Sequence, residues 1–188
     1  HMSSSGLDYL FGDDVNFAKG GTPGTYTNSL QVASVNNTGT TSMYYTLNGE
    51  IVQYAESFDY GNTPFAGLAG DQEYIAIEGY GTEDDWAALT EVLDGRIAVC
   101  SRGSNSFYVK ANGAVANGAI ATIVYNNTTG TIYMNLTGYL YDNPAISITQ
   151  AEGQALISAG TKGELNGVTY YLGTITVGSE GLVTQGDP

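Results

Sequence analysis

Two short runs, Ile97-Ala98-Val99-Cys100 and Ile120-Ala121-Thr122-Ile123-Val124-Tyr125, are almost continuously apolar. A strand with one wet face alternates apolar and polar residues; these runs do not, so both of their faces must be covered. Between them lie an Arg102-Gly103 loop and a helix-patterned segment, Ser106 to Asn117, with Phe107, Ala111, Ala114 and Val115 on one face. Gly118 then supplies a helix stop. Strand, helix and strand, with about 20 residues between the strand runs, make a parallel crossover that is right-handed by default. A chain built around such a unit needs helices on its sheet, so it belongs to the mixed α/β class.

The flanking elements follow local rules. Residues 28–37 read as a short strand. Met43–Leu47 and Glu50–Tyr54 flank Asn48-Gly49, a pair suited to a type I′ hairpin turn because both positions need positive φ. Residues 55–72 read as loop and Tyr74–Ile77 as strand. Thr82 caps one helix running to Leu93, with Glu83, Asp84 and Asp85 in its first turn and Trp86, Leu89 and Leu93 on one face. Residues 127–139 read as a loop or hairpin. Pro144–Ile148 is a further strand, followed by a helix to Ala159 that starts in a Thr149/Glu152 capping box. A second Asn-Gly hairpin sits at Asn166-Gly167. Residues 174–177 extend the last strand, and residues 179–188 are expected to fray.

Charge removes whole classes of function. The chain of 188 residues carries 19 acids against Lys19, Arg96, Arg102, Lys110 and Lys162, a formal charge of −14. Phosphate backbones and anionic membranes attract the opposite balance. No apolar run reaches the roughly 18 residues of a membrane span. Cys100, the one cysteine, sits in a core-type run, so no disulfide forms within the chain. The one histidine is His1, in a His1-Met2 start that reads as a cloning remnant. Ser-His-Asp and Cys-His chemistry both need imidazole, so any hydrolytic base is expected outside this sequence.

Gly95-Arg96-Ile97-Ala98-Val99, Arg102-Gly103, Phe107 with Lys110-Ala111, Gly118-Ala119, Ile123-Val124-Tyr125-Asn126-Asn127 and Pro144-Ala145-Ile146-Ser147-Ile148 occur in the order found in protease-associated (PA) domains. The chain resembles that family. The resemblance implies a β-rich open barrel or sandwich flanked by short helices around the central βαβ unit, over residues 43–178. Many PA domains place a cysteine where Asn105 stands here, so the Arg102 loop is expected to be unpinned by a disulfide. A second stretch, Gly21 to Asn37, resembles sequence that follows the oxyanion-hole asparagine of subtilisin-like proteases of the cell-envelope type. Residues 3–42 are therefore read as a strip of catalytic-domain sequence, with residues 1–2 as remnant and 179–188 as tail.

These resemblances together imply a non-catalytic PA insertion in an exported, cell-surface subtilisin-like endopeptidase, orienting protein substrates at the cleft. Its partners would be the parent catalytic domain and protein or peptide substrates, with neither nucleic acid nor membrane insertion. A stand-alone extracellular peptide-binding module is the alternative. A metal-dependent aminopeptidase carrying a PA insert is placed third, because no His-rich flank is present. The contact residues expected are Arg102, Ser104, Asn105 and Phe107 beside the helix start, with Phe58, Tyr60 and Phe65 from the aromatic loop. The bland reading of the first group is helix capping and a local bond from Arg102. No cofactor is expected. Glu83-Asp84-Asp85 with Asp59 or Asp71 lacks EF-hand spacing for calcium and fits a helix N-terminus better.

Overall fold

A computed structural model of the chain describes residues 40–57 and 62–184. The strand expected at residues 28–37 and the rest of the 3–39 strip lie outside the described residues, as do Phe58, Asp59 and Tyr60.

The strands in chain order are β1 (Thr40–Ser42), β2 (Tyr44–Leu47), β3 (Glu50–Gln53), β4 (Ala55–Glu56), β5 (Gly70–Ala76), β6 (Ile97–Ser101), β7 (Ala121–Tyr125), β8 (Ala145–Ile148), β9 (Thr161–Leu165), β10 (Val168–Val177) and β11 (Leu182–Thr184). The helices are α1 (Glu83–Ala88), α2 (Thr90–Leu93), α3 (Phe107–Ala116) and α4 (Gln150–Ala159), with one 3₁₀ turn at Phe65–Leu68. The main sheet runs β3-β2-β10-β5-β6-β7-β8-β4, with β9 paired to β10. β5, β6, β7 and β8 are mutually parallel, while the hairpins and β10 pair antiparallel. β3 and β4 stand at opposite ends of this path, yet only Tyr54 separates them in the chain. The sheet therefore curls into a nearly closed barrel flanked by short helices, the mixed fold class expected from sequence.

Alternation within the parallel strands explains why they carry no polar face. Ile97 and Val99 point into the barrel, among Tyr45, Tyr74, Ile123, Ile146 and Leu156. Ala98 and Cys100 point the other way, beneath Trp86, Leu89, Leu93 and Ala114 of the helical layer. Burying each large aliphatic or aromatic side chain of these layers contributes about 1.5–3 kcal/mol. Residues 127–143 hold no strand, but Ile132, Met134 and Leu136 alternate inward and cover the helical-side core.

Local signals set the element ends. Asn48 and Gly49 have φ of 52° and 86°, and Asn166 and Gly167 have 51° and 82°, as the I′ turns require. Thr82 with Asp85, and Thr149 with Glu152, each form a reciprocal capping box. Three expectations are corrected. Residues 55–72, read as loop, hold β4, the 3₁₀ turn at Phe65–Leu68 and the first three residues of β5, drawn into strand by pairing with β8 and β10. The helix read as continuous from Thr82 to Leu93 breaks at Leu89, where the Thr90 hydroxyl donates to the Ala87 carbonyl at 3.1 Å and competes with the backbone ladder. Within the tail expected to fray, Leu182–Thr184 instead pairs antiparallel with Thr40–Ser42, and residues 185–188 lie outside the described residues.

Candidate functional site

The carboxyl ends of parallel strands are where open α/β sheets hold ligands. Here the ends of β6 and β7 and the start of α4 bound a polar cleft of about 470 Å³, whose lining includes Glu78, Ser101, Asn126, Gln150 and Gln154. Its rim is tied by backbone bonds: Ser101 N–H donates to Gly79 O at 2.9 Å, Arg102 N–H to Tyr125 O at 2.8 Å, and Asn126 N–H to Ile148 O at 3.1 Å. Arg102 is exposed and lies alongside, its Nη1 donating to Asn126 Oδ1 at 3.2 Å. Asn126 is itself fixed, its Nδ2 donating to Gly130 O at 2.9 Å.

Beneath the Arg102–Ser106 loop sits a charged group to which the sequence pattern assigns no role. The Lys110 side chain is 0% exposed. Its Nζ donates to Asn105 Oδ1 at 2.5 Å and to the Tyr80 carbonyl, and lies 5.6 Å from the Tyr80 ring centroid. Asn105 Nδ2 in turn donates to Gly81 O at 3.2 Å. Burial pushes the ammonium below the usual lysine range. Gly103 packs so closely under the Tyr80 ring that a Cβ there would overlap it. Asn105, standing where many relatives have cysteine, ties the loop by hydrogen bonds rather than a disulfide, donating to Gly81 O and accepting from Lys110 Nζ of α3.

The other expected contact residues separate. Ser104 is exposed, and Phe107 is half-buried against the helical-side core. Ser106 occupies the N-cap position of α3 without a side-chain capping bond, so the serine-cap reading does not apply. Phe65 is 0% exposed and meets Tyr54 edge-on at 5.1 Å, inside the barrel core rather than on a contact surface. Phe58 and Tyr60 lie outside the described residues. Among the acids considered for calcium, Asp85 is committed to the capping box and Asp71 accepts from Thr176 Oγ1 at 2.7 Å. Among the described residues, no three His, Cys, Asp or Glu side chains converge as a metal set.

With this geometry in place, the PA-domain family profile matches residues 47–156. The chain belongs to the PA-domain family. Its PA domain is similar to part of the minor extracellular protease Vpr of Bacillus subtilis, 34% identical over 119 residues, 53% of this chain and 14% of that protein. It is 39% identical over 80 residues to the aminopeptidase YwaD of Bacillus subtilis, covering 42% of this chain and 17% of the relative. Among solved structures, an aminopeptidase from Aneurinibacillus sp. strain AM-1 matches at 29% identity and a TM-score of 0.52, over 77% of this chain and 32% of that one. BSAP, a zinc aminopeptidase from Bacillus subtilis, shares the fold at 24% identity and a TM-score of 0.54, over 77% and 33%. The chain thus spans 14% and 17% of the curated relatives it matches.

These matches correct the host. The implied subtilisin-like serine endopeptidase is not supported: the likenesses found in both sequence and structure are to aminopeptidases. The serine-protease reading rests on Gly21–Asn37, which lies outside the family match at residues 47–156 and outside the described residues. The want of histidines does not count against an aminopeptidase host, since a host's metal ligands belong to its own catalytic portion and need not lie in an accessory unit.

Proposed function

We propose that this PA domain is a non-catalytic accessory unit of an exported zinc-aminopeptidase-type enzyme, acting on the peptide rather than on the scissile bond. The aminopeptidase likenesses support the host, and the extracellular relative supports export. No helix among the described residues is long and apolar enough to cross a membrane. Any zinc would be held by residues of the host, since the described residues offer no ligand set for it.

The observation that carries the role is Arg102. Its guanidinium stands exposed at the edge of the polar cleft and gives one bond to Asn126, leaving further donors of a five-donor fork for a peptide carboxylate or carbonyl. Ser104 stands exposed on the same loop, and the Lys110–Asn105 network holds that loop in shape. The domain would orient longer peptides at the host's catalytic centre while leaving the chemistry to the host.

The test is Arg102→Ala in the full-length enzyme. Hydrolysis of small aminoacyl anilides is expected to stay within about twofold, while KM for peptides of eight or more residues rises several-fold. A loss shared equally by small and large substrates overturns the reading.

A further inference from the structure

The barrel is left open along one seam, and its register shows why. β4 pairs with β8 through Ala55 with Ser147 and Glu56 with Ile146. Continuing that antiparallel register would set Gln53 opposite Thr149 and Ile51 opposite Ala151. Thr149 instead caps α4, and the chain leaves the sheet as a helix. β3 therefore pairs with β2 on one side and meets no strand on the other among the described residues. The missing strand leaves a groove of about 550 Å³ between Leu47, Glu50, Ile51 and Val52 on one wall and α4 on the other.

The groove is suited to backbone. Ala151, Ala155 and Ala159 face it from α4, with Ser158 also small, so Glu152 is the one long side chain on that wall. A natural sheet edge is usually blunted by charge, lysine above all. β9, the other edge beside β10, is protected in this way by Lys162. β3 carries no lysine and no proline, and Ile51 is 52% exposed. The charges lining the groove, Glu50 and Glu152, are both negative, on a chain of formal charge −14.

We propose that this seam is a peptide-binding site, in which an extended segment carrying basic side chains adds as a strand to β3, between the hairpin and α4. Main-chain hydrogen bonds to the open edge supply affinity, and alternate side chains supply specificity, as in other strand-addition complexes. About four residues, some 13 Å of extended chain, cover Glu50 to Gln53. The site is separate from the Arg102 loop and does not depend on the aminopeptidase host.

The test uses the 188-residue chain and fluorescein-labelled octapeptides alternating Val with Lys or Val with Glu, read by anisotropy at low and high salt. The Val-Lys peptide is expected to bind at least tenfold more tightly than the Val-Glu peptide, and to weaken with salt. Methylating alternate peptide nitrogens is expected to abolish binding. Ala155→Leu fills the groove on a helix-compatible residue and is expected to weaken binding at least tenfold with the circular-dichroism spectrum unchanged. Glu50→Lys is expected to weaken it several-fold, and Glu180→Lys, the same charge change outside the groove, to leave it within twofold. Amide exchange at residues 50–53 is expected to slow on binding.

Absence of binding at millimolar peptide overturns the proposal, as does indifference to Ala155→Leu. Protection confined to residues 102–106 also overturns it, while supporting the Arg102 reading. Concentration-dependent dimerisation that occupies the β3 edge would assign the seam to a second copy of the chain and likewise overturn it.

Discussion

Lys110 shows how a single residue can set a surface it does not reach. Its ammonium is buried, and two carbonyl oxygens, from the Tyr80 backbone and the Asn105 side chain, converge on it. Lys110→Met keeps the length and removes the charge, leaving both part-buried oxygens without their donor. A loss of about 1–3 kcal/mol is expected, with faster amide exchange at residues 102–106; denaturant titration and exchange mass spectrometry check the two parts. The sequence held a signal for this, because Lys110 lies three residues after Phe107 and four before Ala114, on the inward face of α3. What covers that face is supplied by Tyr80 and Gly81, some thirty positions away, and no local pattern shows it. Cys100 makes the neighbouring case. Burial pushes its thiol up to about 12, so at pH 8 a thiol reagent is expected to label it only after unfolding; labelling of the native protein would place it nearer the surface than the 0% exposure found.

At the scale of elements, the punctuation of the chain was legible and its long-range closure was not. Both Asn-Gly turns, the Thr82 cap, the Thr149/Glu152 capping box and the βαβ unit follow from local side-chain patterns; the reciprocal bond from Asp85 to Thr82 did not. The Thr90 hydroxyl that ends α1 acts locally too, yet a mid-helix threonine more often stays in register, so the break was missed. The pairing of β1 with β11, the ties on the Arg102 loop and the open seam beside β3 all join residues distant in sequence. Of the expected contact residues, Arg102 and Ser104 stand exposed on one loop, whereas Phe65 was misplaced because an aromatic in a Gly-rich loop has no period to show which way it faces. Thr149 governs the seam as well as its helix. Thr149→Ala removes the acceptor for the Glu152 N–H, now at 3.3 Å, and is expected to cost about 0.5–2 kcal/mol. A thermal melt by circular dichroism measures this.

For the whole molecule, the tyrosines set the alkaline limit. Burial raises Tyr74 and Tyr125 to about 12 and pushes Tyr45 and Tyr54 up as well. In the unfolded chain these phenols ionise near pH 10. Between that value and about 12 the folded state holds more protons, so stability is full below pH 10 and falls as pH rises through the window. Lys110, lowered by folding, works with the opposite sign, but it is one group against these four tyrosines together with Tyr139 and Cys100. Tyrosinate absorbance is therefore expected to rise in two steps, exposed rings first and buried rings together with loss of the near-ultraviolet circular dichroism signal. A single smooth titration near pH 10 with the fold intact would contradict the burial of these rings.

Thr40–Ser42 and Leu182–Thr184 run side by side as an antiparallel pair, about 5 Å apart as neighbouring strands are. The polypeptide thus enters and leaves this unit through one narrow doorway. A surface loop of another protein can be opened at a single bond and spliced to those two strands without stretching either side. The doorway makes the unit a removable cartridge, whose excision leaves a gap that one or two glycines can bridge.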